Sequence, residues 1–439
     1  MIDFKNKKIT VMRIGLLGRG VGDTAWLAEH GAEVLVVDSA PQAVMQPSVN
    51  ALSQYENVTF KFGPYDTADF INCDYVLVGA GTPLESPELA AAREAGVPLK
   101  QSAAWFAEQS QIPVIGVTGT RGKSTVTHMI HHVISELTGE EVLLGGNVRG
   151  LSNLQLLDKV KAESIAVMEL DSWQLQGWGW SKLSPQIAVF TNFMPDHMNY
   201  YHGDMDAYFN DKANIFRYQP ESGVLITTPE VFELAKKTNG VTLGQEVVLV
   251  DDSVIPEDAL LAMPGAHNRL NAALAYEALK AVGVQDEEIF AGLASFPGVP
   301  GRLEKLGEIN GVKIYNDNNA TTPQATVVGL QAVGDINDKN VILIAGGAYK
   351  EISPEALIAE IPKYCKAVFL IPGTGTDMLK TKIKATEVSD LAEAVKVALA
   401  AGEPGDVLLF SPAFASFGQF KNEYERNDLF VACINKIEI

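Results

Sequence analysis

The sequence is short of cysteine, short of positive charge and without a long apolar run. Its three cysteines, Cys73, Cys365 and Cys433, stand far apart. That spacing excludes a disulfide framework and any metal-ligand motif, and it suits packing residues in a reducing compartment. Only 34 Lys and Arg face 54 Asp and Glu, a formal net charge of −20. Such a balance argues against a nucleic-acid or anionic-membrane surface. It also requires that a phosphate-bearing ligand be met by local cations rather than by a global field. No stretch approaches the length of a membrane helix. The opening residues, Met1-Ile-Asp-Phe-Lys-Asn-Lys-Lys8, lack the apolar run of a signal peptide. The expectation is a cytoplasmic, monomeric protein that binds no nucleic acid and no membrane. With 439 residues, 47% of them hydrophobic, the chain is too long for one ordinary core, so two or three domains are expected.

The densest signal is Val114-Ile-Gly-Val-Thr-Gly-Thr-Arg-Gly-Lys-Ser-Thr125. An apolar run, Pro113 to Val117, predicts a strand. A glycine loop follows, then a helical pattern of apolar residues at Val126, Met129, Ile130, Val133 and Ile134. Strand, glycine loop, Lys-Ser and helix together make a triphosphate cradle, in which backbone N–H groups and the positive helix end meet phosphate oxygens. The lysine reaches the terminal phosphates and the hydroxyl ligates Mg²⁺. The usual spacing would put a glycine at position 117, which is valine here; the glycines are Gly116, Gly119 and Gly122. A Gly-rich turn without a ligand is the alternative.

Strand and helix patterns alternate in three blocks, which predicts an α/β protein of three domains with mainly parallel sheets flanked by helices. The expected boundaries are 1–110, 111–301 and 302–439. The first block opens at Arg13-Ile-Gly-Leu-Leu-Gly-Arg-Gly-Val-Gly22, followed by a helix-like segment from Thr24 to His30 and a strand, Glu33–Asp38. Gly18, Gly20 and Asp38 could form a dinucleotide site; a tight strand-to-helix turn is an equal reading. The glycines run G-x-G-x-G rather than G-x-G-x-x-G, and the helix looks short before Gly31. In the second block, Glu169 ends an apolar run (Ser164–Glu169), where ligands of parallel sheets bind, and is followed by Leu-Asp-Ser-Trp-Gln174. Asp196-His197 and Tyr208-Phe-Asn-Asp-Lys212 follow a further apolar run, Gln186–Thr191.

The variant loop Thr118-Gly-Thr-Arg-Gly-Lys-Ser-Thr125 resembles that of the Mur ligase family, which builds the peptide stem of bacterial cell-wall precursors. Gly145-Gly-Asn147, Glu169 with Ser172 and Gln174, Asp196-His197, the Tyr208–Lys212 pair and His267-Asn-Arg-Leu-Asn271 each resemble a motif of that family. Arg302, Asp317-Asn-Asn-Ala-Thr321, Gly346-Gly-Ala-Tyr-Lys350 and Ser411-Pro-Ala-Phe-Ala-Ser-Phe417 continue the match through the third block. Asn319 stands where the family has lysine and Gly418 where it has aspartate.

The resemblance implies a Rossmann-like, a P-loop ATPase-like and a second Rossmann-like domain. It implies an ATP-dependent amide ligase that joins glutamate, D-glutamate by default, to UDP-N-acetylmuramoyl-L-alanine through an acyl phosphate. ATP would be held by Gly119, Thr120, Arg121, Gly122, Lys123, Ser124, Thr125, Asn271, Arg302 and Asp317. Gly18, Gly20, Asp38, Gly81 and Asn147 would contact the UDP-linked substrate, and Thr321, Lys350, Ser416 and Phe417 the glutamate. Lys123, Glu169, His197 and Lys212 would be catalytic. Two Mg²⁺ ions would be ligated by Ser124, Glu169, His197 and a carbamylated Lys212, since a carbamate turns a repelling ammonium into a carboxylate on a long arm. An L-glutamate-adding variant, a folylpolyglutamate-type ligase and a non-ligase nucleotide-binding protein remain as alternatives.

Overall fold

The computed structural model describes all residues except 1, 17, 84, 139–141, 239, 241–242, 260, 262 and 438–439. Three sheets carry the chain. The first has the order β3-β2-β1-β4-β5, built from β1 (Lys8–Met12), β2 (Glu33–Asp38), β3 (Val58–Phe62), β4 (Tyr75–Val78) and β5 (Leu99–Lys100). All its pairings are parallel. The order reverses between β1 and β4, and in doubly wound sheets ligands bind at such a point, outside the carboxyl ends of the strands.

The second sheet runs β11-β10-β9-β6-β8-β7. Its strands are β6 (Val114–Thr118), β7 (Leu143–Gly146), β8 (Ala166–Glu169), β9 (Ile187–Phe190), β10 (Val224–Thr227) and β11 (Glu246–Leu249). The four inner strands β6, β8, β9 and β10 are apolar and almost wholly buried, as expected where helices cover both faces. Gly116 is required by packing: a Cβ there would lie 2.4 Å from the Pro185 side chain.

The third sheet runs β12-β13-β17-β14-β15-β16, from β12 (Glu304–Ile309), β13 (Val312–Asn316), β14 (Val341–Ala345), β15 (Cys365–Leu370), β16 (Thr386–Glu387) and β17 (Val407–Phe410). β12 and β13 form an antiparallel hairpin, the remaining pairings being parallel. Backbone contacts divide the chain into two compact units. One comprises residues 1–256 and 271–292 and carries the first two sheets. The other comprises 257–270 and 293–439 and carries the third.

Two expectations for the first block are corrected. The leading strand is Lys8–Met12, not the run from Arg13, and the helix starts at Arg19 and runs eleven residues to Glu29. The helix is therefore not short. Gly18 caps the helix in the left-handed conformation, with φ of 88°. Gly20 and Gly22 are helical and are glycine for space. A Cβ on Gly20 would sit 2.2 Å from the Ile14 carbonyl oxygen, and one on Gly22 would sit 2.6 Å from Ser152 Cβ.

Candidate functional site

The first unit assembles the phosphate loop. β6 delivers the chain into Gly119, and the helix Lys123–Thr138 leaves from it. Gly119 and Gly122 have φ of 142° and 86°, values that favour glycine. Contacts leave no room for a larger residue: a Cβ would lie 2.0 Å from Thr191 Oγ1 at Gly119 and 2.4 Å from Asn271 Oδ1 at Gly122. Asn271, expected at the adenine, thus has its side-chain amide against the loop glycine. The segment after β9 tethers the loop. Thr120 N–H donates to the Asn192 carbonyl at 2.9 Å, Arg121 N–H donates to Asn192 Oδ1 at 2.9 Å, and the Arg121 guanidinium meets Asp196 at 3.2 Å. Lys123 folds back, its ammonium donating to the Gly119 and Thr120 carbonyls at 3.0 and 3.2 Å.

Glu169 lies beside this loop because β8 pairs with β6 in the register Val117↔Glu169. Its side chain is buried, and its carboxylate accepts no hydrogen bond among the described residues. Ser124 and Thr125 are also buried at the head of the helix. A hard cation that keeps waters suits such a set, a carboxylate and a hydroxyl beside a phosphate loop.

Lys212 ends the helix Met205–Lys212 and is fully enclosed, 1% exposed. Its amine donates to the Gly119 carbonyl at 2.8 Å and stands 5.0 Å from the centre of the Tyr208 ring. Burial, reinforced by the Lys123 charge, holds it well below the usual lysine pKa against the opposing pull of Asp171, Asp196 and Glu169. Enclosure therefore favours the neutral amine over the ammonium. His197 has φ of 53°, and its ring lies 4.5 Å from that of Trp173. Burial lowers its pKa although Asp196 opposes, which favours the neutral imidazole, the form that can act as a ligand.

Asp171 belongs to this group, and the Asp-x-x-Gln spacing signals it. It opens the helix Ser172–Ser181 by a capping box: its carboxylate accepts from Gln174 N–H at 2.8 Å, and Gln174 Oε1 accepts from Asp171 N–H at 3.3 Å. Asp171 therefore fixes the helix start.

At the ends of β1 and β4 lies a cavity of about 250 Å³ lined by Arg13, Gly15, Arg19, Gly20, Asp23 and Gln174, among others. Gly81 adjoins Trp173, to which a Cβ would approach within 3.7 Å, and its carbonyl accepts from Arg13 at 3.0 Å. Asp38 is buried at the end of β2 and accepts from Ala40 N–H at 3.0 Å. Gly18 caps the adjoining helix. Asn147 N–H donates to the Glu169 carbonyl at 2.7 Å, which fixes the Gly-Gly-Asn turn beside the carboxylate.

The second unit gathers three loops at one sheet edge. Ala413 N–H donates to the Ala320 carbonyl at 2.9 Å, and Ala348 and Ala415 exchange two backbone bonds at 2.8 and 3.0 Å. Lys350 reaches Thr321 Oγ1 at 3.3 Å, so two of the residues expected at the glutamate come together. Ser416 is buried and Phe417 is 63% exposed. Gly418 has φ of 91°, a left-handed position that accounts for glycine where the family has aspartate. Arg302 follows Gly301, whose N–H donates to Glu304 at 2.8 Å. The family lysine is replaced by Asn319, whose carbonyl side chain accepts from Asn318 at 3.2 Å.

Arg426 closes the run that opens at Ser411, but its position in sequence does not show its partner Asn318, about a hundred residues away. It is fully buried, donating to Asn318 Oδ1 and the Asn318 carbonyl at 2.8 and 2.9 Å and to the Phe414 carbonyl at 3.1 Å. Burial lowers its pKa to about 10, so it stays charged. Arg426→Met should cost about 3 kcal/mol of stability, because the loop carbonyls it serves are left buried and unpaired. Denaturant unfolding measures this.

Asp317 accepts from Leu303 N–H at 3.1 Å and from the Ser411 hydroxyl at 2.9 Å. Burial raises its pKa to about 7. The native state therefore binds a proton that the unfolded state releases near pH 4. This group's contribution to stability falls as pH rises from about 4 to 7 and is flat above. Asp317→Asn should remove that slope from melting temperatures measured across the window.

Comparison with known proteins places this geometry. Three family models match in order: the Mur ligase MurD-like N-terminal domain over residues 7–100, the Mur ligase middle domain over 117–279, and the Mur ligase glutamate ligase domain over 301–414. The UDP-N-acetylmuramoylalanine–D-glutamate ligase of Roseiflexus sp. is 33% identical over 461 residues, covering 97% of both chains. That of Acetivibrio thermocellus is 32% identical, covering 99% of this chain and 98% of its own. Among solved structures, the UDP-N-acetylmuramate-alanine ligase MurC of Thermotoga maritima is 19% identical with a TM-score of 0.61, covering 98% of this chain and all of its own. A Mycobacterium tuberculosis folylpolyglutamate synthase complexed with ADP is 15% identical with a TM-score of 0.55, covering 75% of this chain and 94% of its own. These two share the fold. The chain belongs to the Mur ligase family.

Proposed function

We propose that this chain is an ATP-dependent amide ligase that joins D-glutamate to the terminal carboxylate of UDP-N-acetylmuramoyl-L-alanine in peptidoglycan precursor synthesis. The carrying observation is the second amine at the phosphate loop. Lys212 lies 2.8 Å from the Gly119 carbonyl and close enough to Lys123, Glu169, Asp171 and Asp196 for each to act on its charge. Hydrolysis of a nucleotide does not need this arrangement, whereas an acyl transfer between two anionic substrates does need dense, adjustable charge. The names of the relatives supply the substrates. Turnover of ATP and the nucleotide-linked precursor with D-glutamate, and none with L-glutamate, is the expected result. Turnover with L-glutamate alone would favour the variant acceptor.

The reaction has two steps. The substrate carboxylate attacks the γ-phosphorus of ATP, ADP leaves, and an acyl phosphate forms. The glutamate amine then attacks the acyl carbon, releasing inorganic phosphate and a proton. Lys123, the loop N–H groups and Arg302 would meet the charge that develops on the transferring phosphoryl group. Ser124, Glu169 and His197 would hold Mg²⁺, which supplies charge neutralisation at the phosphates when bound. A neutral amine is the form that adds to CO₂, so burial suits Lys212 to become a carbamate, a third oxygen donor beside Ser124 and Glu169. Lys350, Thr321, Ser416 and Phe417 would receive the glutamate carboxylates. In this reading the chain works as three domains, 1–110, 111–301 and 302–439, in the cytoplasm as a monomer. Among the described residues, no helix is long and apolar enough to cross a membrane.

A further inference from the structure

We propose that Arg19 is a positioning residue that couples the two nucleotide sites: its guanidinium binds an anionic group of the UDP-linked substrate and, through Asn147, orders the turn beside Glu169. This rests on the reading above, which puts a phosphate-bearing substrate in the cavity at the ends of β1 and β4.

Arg19 is the first residue of the helix Arg19–Glu29 and lines that cavity. Its Nη2 donates to Asn147 Oδ1 at 2.8 Å. Asn147 is held from the other side by its own N–H on the Glu169 carbonyl at 2.7 Å. A single side chain therefore joins the cavity wall to the turn that carries the buried carboxylate. The preceding residue cannot absorb a movement of that turn. Gly146 has φ of 83°, a Cβ on it would lie 2.0 Å from the Glu169 carbonyl oxygen, and its N–H donates to Asn153 Oδ1 at 2.7 Å.

One turn along the same helix face, Asp23 makes the second attachment. Its carboxylate accepts from Ser152 Oγ at 2.6 Å and from Leu154 N–H at 3.0 Å. Residues four apart on a helix share a face, so the segment 147–154 is gripped at two points by the helix that walls the cavity. The charges fit an anion. The ionisable groups lining the cavity are Arg13, Arg19 and Asp23. Burial raises the Asp23 pKa, and its carboxyl is already engaged by Ser152 and Leu154. The lining is thus cationic in a chain of net charge −20. A cation at a helix N-terminus is disfavoured by the helix dipole unless an anion sits beside it. A guanidinium carries five N–H donors, and the bond to Asn147 uses one.

Arg19→Ala and Arg19→Lys test this. The Kd of a non-hydrolysable ATP analogue is measured on the full-length protein with and without saturating UDP-N-acetylmuramoyl-L-alanine. The Kd of that substrate is measured separately, with melting temperatures as the check on folding. In wild type the substrate should tighten analogue binding by about tenfold, a coupling of ordinary size. In Arg19→Ala the analogue alone should bind within about twofold of wild type. The substrate should bind about tenfold or more weakly, as expected when a charge-assisted contact is lost, and the enhancement should vanish. Arg19→Lys, which keeps the charge but not the planar fork, should recover substrate affinity in part and leave the enhancement low. An Arg19→Ala protein that keeps the full enhancement overturns the proposal, as does a wild type with no enhancement. Wild type that binds no UDP-N-acetylmuramoyl-L-alanine at all would instead overturn the functional reading beneath it.

Discussion

Lys123→Ala should leave a folded protein whose rate of acyl-phosphate formation is about a thousandfold lower or less, the scale on which removal of one preorganised donor acts. Lys123 bonds to the carbonyls of its own loop and lies at the head of a helix rather than within a sheet. Its charge stands on the loop that would hold the γ-phosphate. Glu169→Ala should behave alike for a different reason. The carboxylate is buried and accepts no hydrogen bond among the described residues, so the fold does not depend on it, whereas Mg²⁺ binding in the proposed reaction does. Rapid-quench assay of ADP formed in a single turnover reads both variants, and melting curves confirm that each is folded. Wild-type rates from either one would contradict the assigned roles.

The second large effect is at Lys212. Lys212→Met should lose about a hundredfold or more in kcat and at the same time melt at a higher temperature than wild type. The sign of the stability change follows from the lysine's depressed pKa. The folded chain holds this proton less tightly than the unfolded chain does, so at neutral pH the group opposes folding, and progressively less as pH rises toward the ordinary lysine value. An apolar side chain of similar length removes that penalty. Retaining a destabilising amine is the trade expected of a functional group. Lys212→Arg should not restore activity, because a guanidinium cannot become a carbamate. Equilibration with ¹³C-labelled CO₂ should give a carbamate carbon resonance in wild type that both variants lack. A fully active Lys212→Met protein would contradict the role.

The parts legible in sequence were those fixed by local chemistry. The phosphate loop, β6, β8 and β9 follow from apolar runs, glycines and strand ends, and the structure sets them within a residue or two of expectation. The first block was harder because Lys8-Ile-Thr-Val-Met12 and Arg13-Ile-Gly-Leu-Leu17 are both plausible strand openings. What decides between them is pairing in register with β2 and β4, a non-local fact. Gly20 and Gly22 read as loop residues, and only the close approach of Ile14 and Ser152 shows why a helix needs them. β12 was missed although its turn was announced: Asn310-Gly311, with φ of 52° and 81°, is the strongest short hairpin signal. Asp171 could have been read from its capping box. The bonds of Arg426 to Asn318 and of Arg19 to Asn147 could not, since each joins segments more than a hundred residues apart.

The central claim is that the substrate's carboxylate, not water, takes the γ-phosphate. Turnover of UDP-N-acetylmuramoyl-L-alanine labelled with ¹⁸O in its terminal carboxylate tests this directly, with the released phosphate analysed by mass. Acyl-phosphate chemistry transfers one carboxylate oxygen to phosphorus, so each phosphate should carry a single ¹⁸O. Phosphate released in step with amide formation but carrying no label would contradict the account.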